Sequence, residues 1–237
     1  MNTAERMRGR LHSRGVALRR LAAAAAGVVL LLAAGVAQAQ SGKGDYVGRW
    51  SVAGSLGYAV PNADEYSGGL AWRLGAGYSP MPQLEIGLEL GRFSTEVSQP
   101  EPDGRPNHDI ASGRLEVLPV CVAAQVHIPL AETMATFNLL AGAGYYFIDY
   151  TMADEQRALF IADGVEGLPD QVVSDAWGFH AGAGLEYALT GWLSLTAEGR
   201  YLLLAPKVSG TAAEGNKLGG SLNLNTWLFT GGMKVAF

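Results

Sequence analysis

The chain has 237 residues, 49% of them apolar, with 32 glycines, a single cysteine and a net charge of −5. One cysteine rules out an intramolecular disulfide, and an acidic balance makes the chain a poor candidate for nucleic acid, which requires basic surface to displace counterions, so no such partner is expected. Long apolar runs stop at Val36; beyond it apolar residues alternate with Gly, Ser, Glu and Arg, which excludes a bundle of membrane-spanning helices.

The N-terminus carries Arg6, Arg8, Arg10, Arg14, Arg19 and Arg20, then an apolar stretch over 21–36, then Ala37-Gln38-Ala39. A basic region, an apolar region too short to span a bilayer and a small-x-small triplet make a secretory signal peptide. Residues 1–39 are expected to be removed before Gln40, leaving 40–237 as one β-barrel domain. Of 17 basic residues six go with the peptide, and of 22 acidic ones Glu5 goes; 11 against 21 remain, a net of −10.

The mature chain alternates with a period of two, the signature of strands with unlike faces. In the first run Trp50, Val52, Gly54, Leu56 and Tyr58 alternate with Arg49, Ser51, Ala53, Ser55 and Gly57. In the second Leu70, Trp72, Leu74, Ala76 and Tyr78 oppose Ala71, Arg73, Gly75 and Gly77. The third sets Leu84, Ile86, Leu88 and Leu90 against Glu85, Gly87, Glu89 and Gly91, branched aliphatics on one side and carboxylates on the other. The fourth, over 114–128, puts Leu118, Val120, Val122, Ala124, Val126 and Ile128 on one face. The fifth, over 135–150, is ambiguous on both faces. In the sixth Trp177, Phe179, Ala181, Ala183, Leu185 and Tyr187 oppose His180, Gly182, Gly184 and Glu186; in the seventh Leu193, Leu195, Ala197, Tyr201 and Leu203 oppose Ser194, Thr196, Glu198 and Arg200. The eighth holds Trp227, Phe229, Gly231, Met233, Val235 and Phe237 in one phase.

Connections alternate in length. Those at 79–82, 129–132 and 190–191 are short; those at 61–67, 96–111, 153–174 and 205–219 are long and polar. Three short turns and four loops predict an all-β fold: an eight-stranded antiparallel transmembrane β-barrel with short periplasmic turns and longer extracellular loops, its aliphatic face toward lipid. Aromatics near strand ends fit interfacial girdles.

The lumen face is where chemistry is sought. Arg49, Arg73, Glu85, Glu89, His180, Glu186, Glu198, Arg200 and Lys234 are expected to point inward, and folding the second run onto the third about residue 81 sets Arg73 opposite Glu89. Eight strands enclose little more than their own side chains, so these charges are read first as a plug and second as a permeation path. Asp154 to Asp163 reads as a short helix within the third loop, with Leu159, Phe160 and Ile161 as an apolar patch at the barrel mouth. His108, His127 and His180 fall in no Ser–His–carboxylate arrangement, and no metal-ligand spacing occurs. No enzyme, catalytic residue, cofactor or metal is expected.

With LPVCVAAQVHIP (118–129), NLLAGAGYYF (138–147), GFHAGAGLEYALTGWLSLTAEGRY (178–201) and NTWLFTGGMKVAF (225–237) in view, the chain resembles the outer membrane protein W (OmpW) family over residues 46–237. Its Gly-Ala-Gly strands and terminal aromatic are also similar to those of OmpA-type and OmpX-type barrels. The resemblance implies a hydrophobic lumen mouth passing small apolar molecules, also sideways into the membrane, a picture from which the lumen charges depart. Phe229, Met233, Val235 and Phe237 resemble the signal by which the barrel assembly machinery recognises such chains. The partners implied are that machinery, outer-membrane lipid and small apolar solutes. Two functions stay open: a narrow conduit for small apolar molecules, or a non-transporting structural or surface-binding barrel acting through its acidic loops.

Overall fold

The computed structural model describes residues 48–63, 66–97, 113–154, 170–211 and 217–237. Eight long strands carry the fold: β1 (Arg49–Pro61), β3 (Gly69–Met81), β4 (Leu84–Val97), β5 (Gly113–Pro129), β6 (Ala135–Met152), β8 (Ala176–Ala188), β9 (Leu193–Leu204) and β12 (Thr226–Ala236). Each pairs antiparallel with two neighbours, in the order β4-β3-β1-β12-β9-β8-β6-β5, and β4 returns to β5. This closes the barrel, and closure leaves no unpaired edge, the condition for a sheet to stand in a medium that offers no hydrogen bonds.

The faces follow the sequence period. Leu56 and Leu70 are 74% and 78% exposed on the outer wall, whereas Ser51, Ser55 and Ala59 of β1 are buried inside. The ambiguous fifth run, β6, turns Asn138, Leu140, Tyr146 and Ile148 inward and Leu139 outward. Outward aromatics meet across strands near both rims: Trp50 with Tyr78 at the turn end (ring centroids 5.1 Å apart), Tyr145 with Trp177 (5.6 Å) and Tyr201 with Trp227 (4.9 Å) at the loop end.

One expectation is corrected. Arg73 stands in register with Gly91, not Glu89, because the chain folds one residue later than predicted, with an irregularity between Tyr78 and Met81. The third and fourth loops, read from the sequence only as long and polar, also carry strands. β7 (Asp170–Val173), β10 (Lys207–Thr211) and β11 (Lys217–Ser221) form a separate sheet in the order β11-β10-β7. Its buried Val173 and Val208 join the apolar cluster at the loop end of the barrel, together with Leu224. These strands are too short for a period of two to be counted in advance. The short strand β2 (Tyr66–Ser67) pairs with the end of β4.

Candidate functional site

The lumen is layered along the strands. At the loop end it is packed with Phe93, Val97, Leu115, Val117, Leu202 and Leu204, all buried and all in one cluster. Below them lies a ring of ion pairs. Arg73 Nη1 donates to Glu89 Oε1 at 2.8 Å and Nη2 to Glu198 Oε2 at 2.6 Å. Arg200 donates Nη2 to Glu89 Oε1 at 2.9 Å and Nε to Glu198 Oε2 at 3.0 Å. Each arginine therefore bridges both carboxylates. The Arg73–Glu89 contact survives the corrected register because long side chains reach diagonally across neighbouring strands. On this ring sits His180, with Nε2 3.4 Å from Arg200 Nη1 and Nδ1 3.4 Å from the Tyr146 hydroxyl, which is itself 3.5 Å from Cys121 Sγ.

A second polar layer lies nearer the turns. Lys234 Nζ is 2.7 Å from Glu85 and 3.3 Å from Glu186, and Ser51 Oγ donates to Glu85 at 2.9 Å. His127 approaches Glu85 at 3.5 Å and is joined to Asn138 through Nδ1 at 2.8 Å. Between the layers a cavity of about 40 Å³ is lined by Arg73, Glu85, Glu89, Gln125, Thr196 and Lys234, polar enough and large enough for a few waters. The charges predicted for the lumen thus fall into two groups, Arg73, Glu89, His180, Glu198 and Arg200 above, and Glu85, Glu186 and Lys234 below. Arg49 is half-buried at the turn-end rim of β1. Leu159, Phe160 and Ile161, with the helix expected around them, lie outside the described residues. Phe229 and Met233 are exposed on the outer wall.

Inward glycines make room for these groups. A Cβ on Gly142 would lie 2.6 Å from the His180 ring, one on Gly184 2.7 Å from Glu198 Cγ, and one on Gly182 against the Gly199 carbonyl and 2.8 Å from Arg200 Cα. Because the Gly182 obstruction is backbone, Gly182→Ala is expected to destabilise the barrel by about 1–3 kcal/mol through overpacking, read from urea unfolding followed by tryptophan fluorescence.

One structural feature of the wall was overlooked in the sequence. The β4–β5 ladder pairs Leu90 with Val120 and resumes at Phe93 with Val117, in unchanged register; the pairs Gly91–Pro119 and Arg92–Leu118 between them are missing. On its other side β5 pairs without a break, Pro119 to Tyr146 and Leu118 to Phe147. Proline has no N–H to give to a ladder and is rare inside a central strand, so its place in LPVCVAAQVHIP was the available signal. Gly91 opposite adds no side chain. Beside Pro119 a cavity of about 50 Å³ is lined by Arg73, Glu89, Gly91, Cys121, Tyr146 and His180.

Comparison with known proteins agrees with this architecture. The model of the family described as "Outer membrane protein beta-barrel domain" matches residues 26–234. No curated protein sequence matches the chain. Among solved structures, the outer membrane protein OprG from Pseudomonas aeruginosa is similar at a TM-score of 0.65 and 15% identity, over 82% of this chain and 98% of that one. Outer membrane protein AlkL, solved in lipid bilayers, is similar at a TM-score of 0.51 and 15% identity (84% and 94% covered), and Neisserial surface protein A at 0.51 and 15% (80% and 97% covered). The chain belongs to the outer membrane protein β-barrel domain family, as a small eight-stranded barrel of the bacterial outer membrane.

Proposed function

We propose that the barrel is a conduit of the OmpW type, which admits small apolar molecules to the extracellular half of the lumen and releases them sideways into the bilayer at the β4–β5 break. The observation that carries this reading is the place in the β4–β5 ladder where Pro119 has no N–H to give and two neighbouring pairs drop out, with a lumen cavity lying against it. The layering supports it. Apolar side chains fill the lumen above the Arg73–Glu89–Arg200–Glu198 ring, so a solute that displaces them meets apolar partners, whereas crossing that ring and the Lys234 layer would bury it among charges. Sideways release at Pro119 would border the ring without crossing either layer.

The test compares entry of an apolar compound such as octane into vesicles with lipopolysaccharide in the outer leaflet against ion conductance in planar bilayers. Octane entry is expected to exceed that of protein-free vesicles severalfold, with conductance near that of bare lipid. Octane entry equal to the protein-free rate would overturn the conduit. A second reading, a surface-binding barrel, draws support from the ordered β7–β10–β11 sheet, which gives the loops a fixed platform. A barrel that passes neither octane nor ions, and whose attachment to cells is lost when 207–221 is replaced by a short glycine linker, would favour it.

A further inference from the structure

We propose that the outer wall of β4, β5 and β6, just beyond its apolar band, binds a phosphorylated head group of the outer-leaflet glycolipid, lipopolysaccharide. Arg92 and Arg114 donate to the phosphate, and Glu96, Glu116 and Asp149 reach it through a shared divalent cation. The site lies on the lipid side of the wall and does not depend on the conduit.

On these three strands the outward phase stays apolar as far as Leu90, Leu118 and Phe147 and then changes to charge. The next outward residues are Arg92, Glu116 and Asp149, and Glu96 and Arg114 follow further out. The other five long strands finish their outward phase on Val60, Leu70, Trp177, Leu203 and Trp227, all exposed. At the loop end of the eight long strands, outward charge is therefore gathered on one sector. Its height is that of lipid head groups. Phe147 packs edge-on against Tyr145 of the aromatic girdle at 5.1 Å, and Asp149 lies one outward position, about 7 Å, beyond Phe147.

These charges are accessible and only partly committed to one another. Arg92 Nη2 donates to Glu116 Oε1 at 2.5 Å and Arg114 Nη2 to Glu96 Oε1 at 2.9 Å, yet the two arginine side chains are 47% and 56% exposed. Each contact uses one Nη of a guanidinium that has five N–H groups in a fork suited to phosphate. Ion pairs this exposed contribute little to stability, so support of the barrel does not account for the sector. Glu116 also stands in register with Asp149, two like charges side by side, an arrangement that favours a cation between them.

The balance of signs selects the partner. Two arginines face three carboxylates, one negative charge in excess, so a phosphate arriving alone is opposed. A phosphate that arrives with a divalent cation is not, because such a cation takes oxygen ligands from carboxylate and phosphate together. Lipopolysaccharide offers this combination, since its phosphates are cross-linked by divalent cations.

Lipid A (the phosphorylated anchor of lipopolysaccharide), lipid A stripped of its phosphates and phosphatidylglycerol are titrated against the full protein in detergent micelles, with magnesium or with a chelator. Bound lipid is counted by native mass spectrometry. In magnesium, lipid A is expected to bind about tenfold more tightly than either of the others and to lose about tenfold on chelation, as the loss of a charge-assisted phosphate contact implies. Arg92→Gln/Arg114→Gln should lower lipid A to the stripped value. Glu96→Gln/Glu116→Gln/Asp149→Asn should still bind lipid A but no longer depend on magnesium, since the arginines then meet phosphate unopposed. Both variants change only outward side chains and should keep the folded-barrel mobility of unheated samples on gels; the wild-type comparisons decide alone if one does not. Equal binding of lipid A and its stripped form would overturn the site, as would phosphatidylglycerol matching lipid A, or wild-type binding indifferent to magnesium.

Discussion

Pro119→Val is expected to abolish most of the entry of octane into vesicles while hardly changing the stability of the barrel. The ladder is broken only on the β4 side of Pro119, so the missing N–H is the one that would face Gly91. Valine restores that donor, packs well on a pleated wall and allows Gly91–Pro119 and the adjoining Arg92–Leu118 positions to pair. One net hydrogen bond contributes about 0.5–1.5 kcal/mol, and the loss of proline's stiffness in the unfolded chain offsets about 0.4–1 kcal/mol of it. The stability change should therefore stay under about 1 kcal/mol, whereas entry should fall to near the protein-free rate. Pro129→Val serves as the control, since Pro129 lies at the turn end of β5, paired with Thr136 and away from the break. Undiminished octane entry through the Pro119 variant, with the ladder shown to be closed by amide exchange, would place the exit elsewhere.

Arg200→Ala should be the most damaging single change in the lumen, destabilising the barrel by about 3–5 kcal/mol in urea unfolding from lipid vesicles. The side chain is almost fully buried and serves both Glu89 and Glu198, so its loss leaves two buried carboxylates to share Arg73. The size of the effect reflects an uncompensated charge more than the net worth of the pairs, which largely repay their own desolvation. Arg200→Ala/Glu198→Ala should consequently recover part of the loss, a non-additivity expected of residues in one network. Any ion current that appears in planar bilayers with Arg200→Ala should favour cations, because the ring then carries more carboxylates than guanidiniums. A destabilisation below about 1 kcal/mol would mean that water reaches the ring freely.

Strand phase was legible wherever the two faces differ chemically. Leu84, Ile86, Leu88 and Leu90 could not share a face with Glu85 and Glu89, since a carboxylate facing lipid is far costlier than one facing a polar lumen. β6 was not legible, because its central residues are small on both faces. Ala141 and Ala143 look outward and Gly142 and Gly144 inward, and only the neighbours, His180 over Gly142 and Cys121 over Gly144, decide the matter. Those neighbours come from other strands and leave no trace in local periodicity. The partnership of Arg73 and Glu89 was legible although its register was not, since a shift of two residues keeps both side chains on one face. The break at Pro119 shows the reverse case: the residue was in view, but its meaning depended on which neighbouring strand its missing N–H would have met.

The seating of large lumen groups on glycines has an evolutionary corollary. Gly142 lies under His180, Gly182 under Arg200 and Gly184 under Glu198, each pair spanning two hydrogen-bonded strands. The two members are not equivalent: the occupant can shorten, but a side chain at the glycine meets a neighbouring strand's carbonyl whatever the occupant is, that of Gly199 at Gly182, Val122 at Gly142 and Ala197 at Gly184. Among relatives of this chain the three glycines should therefore persist while the groups seated on them vary, so that retained glycine along the β6–β8 and β8–β9 seams records the inner shape of the barrel.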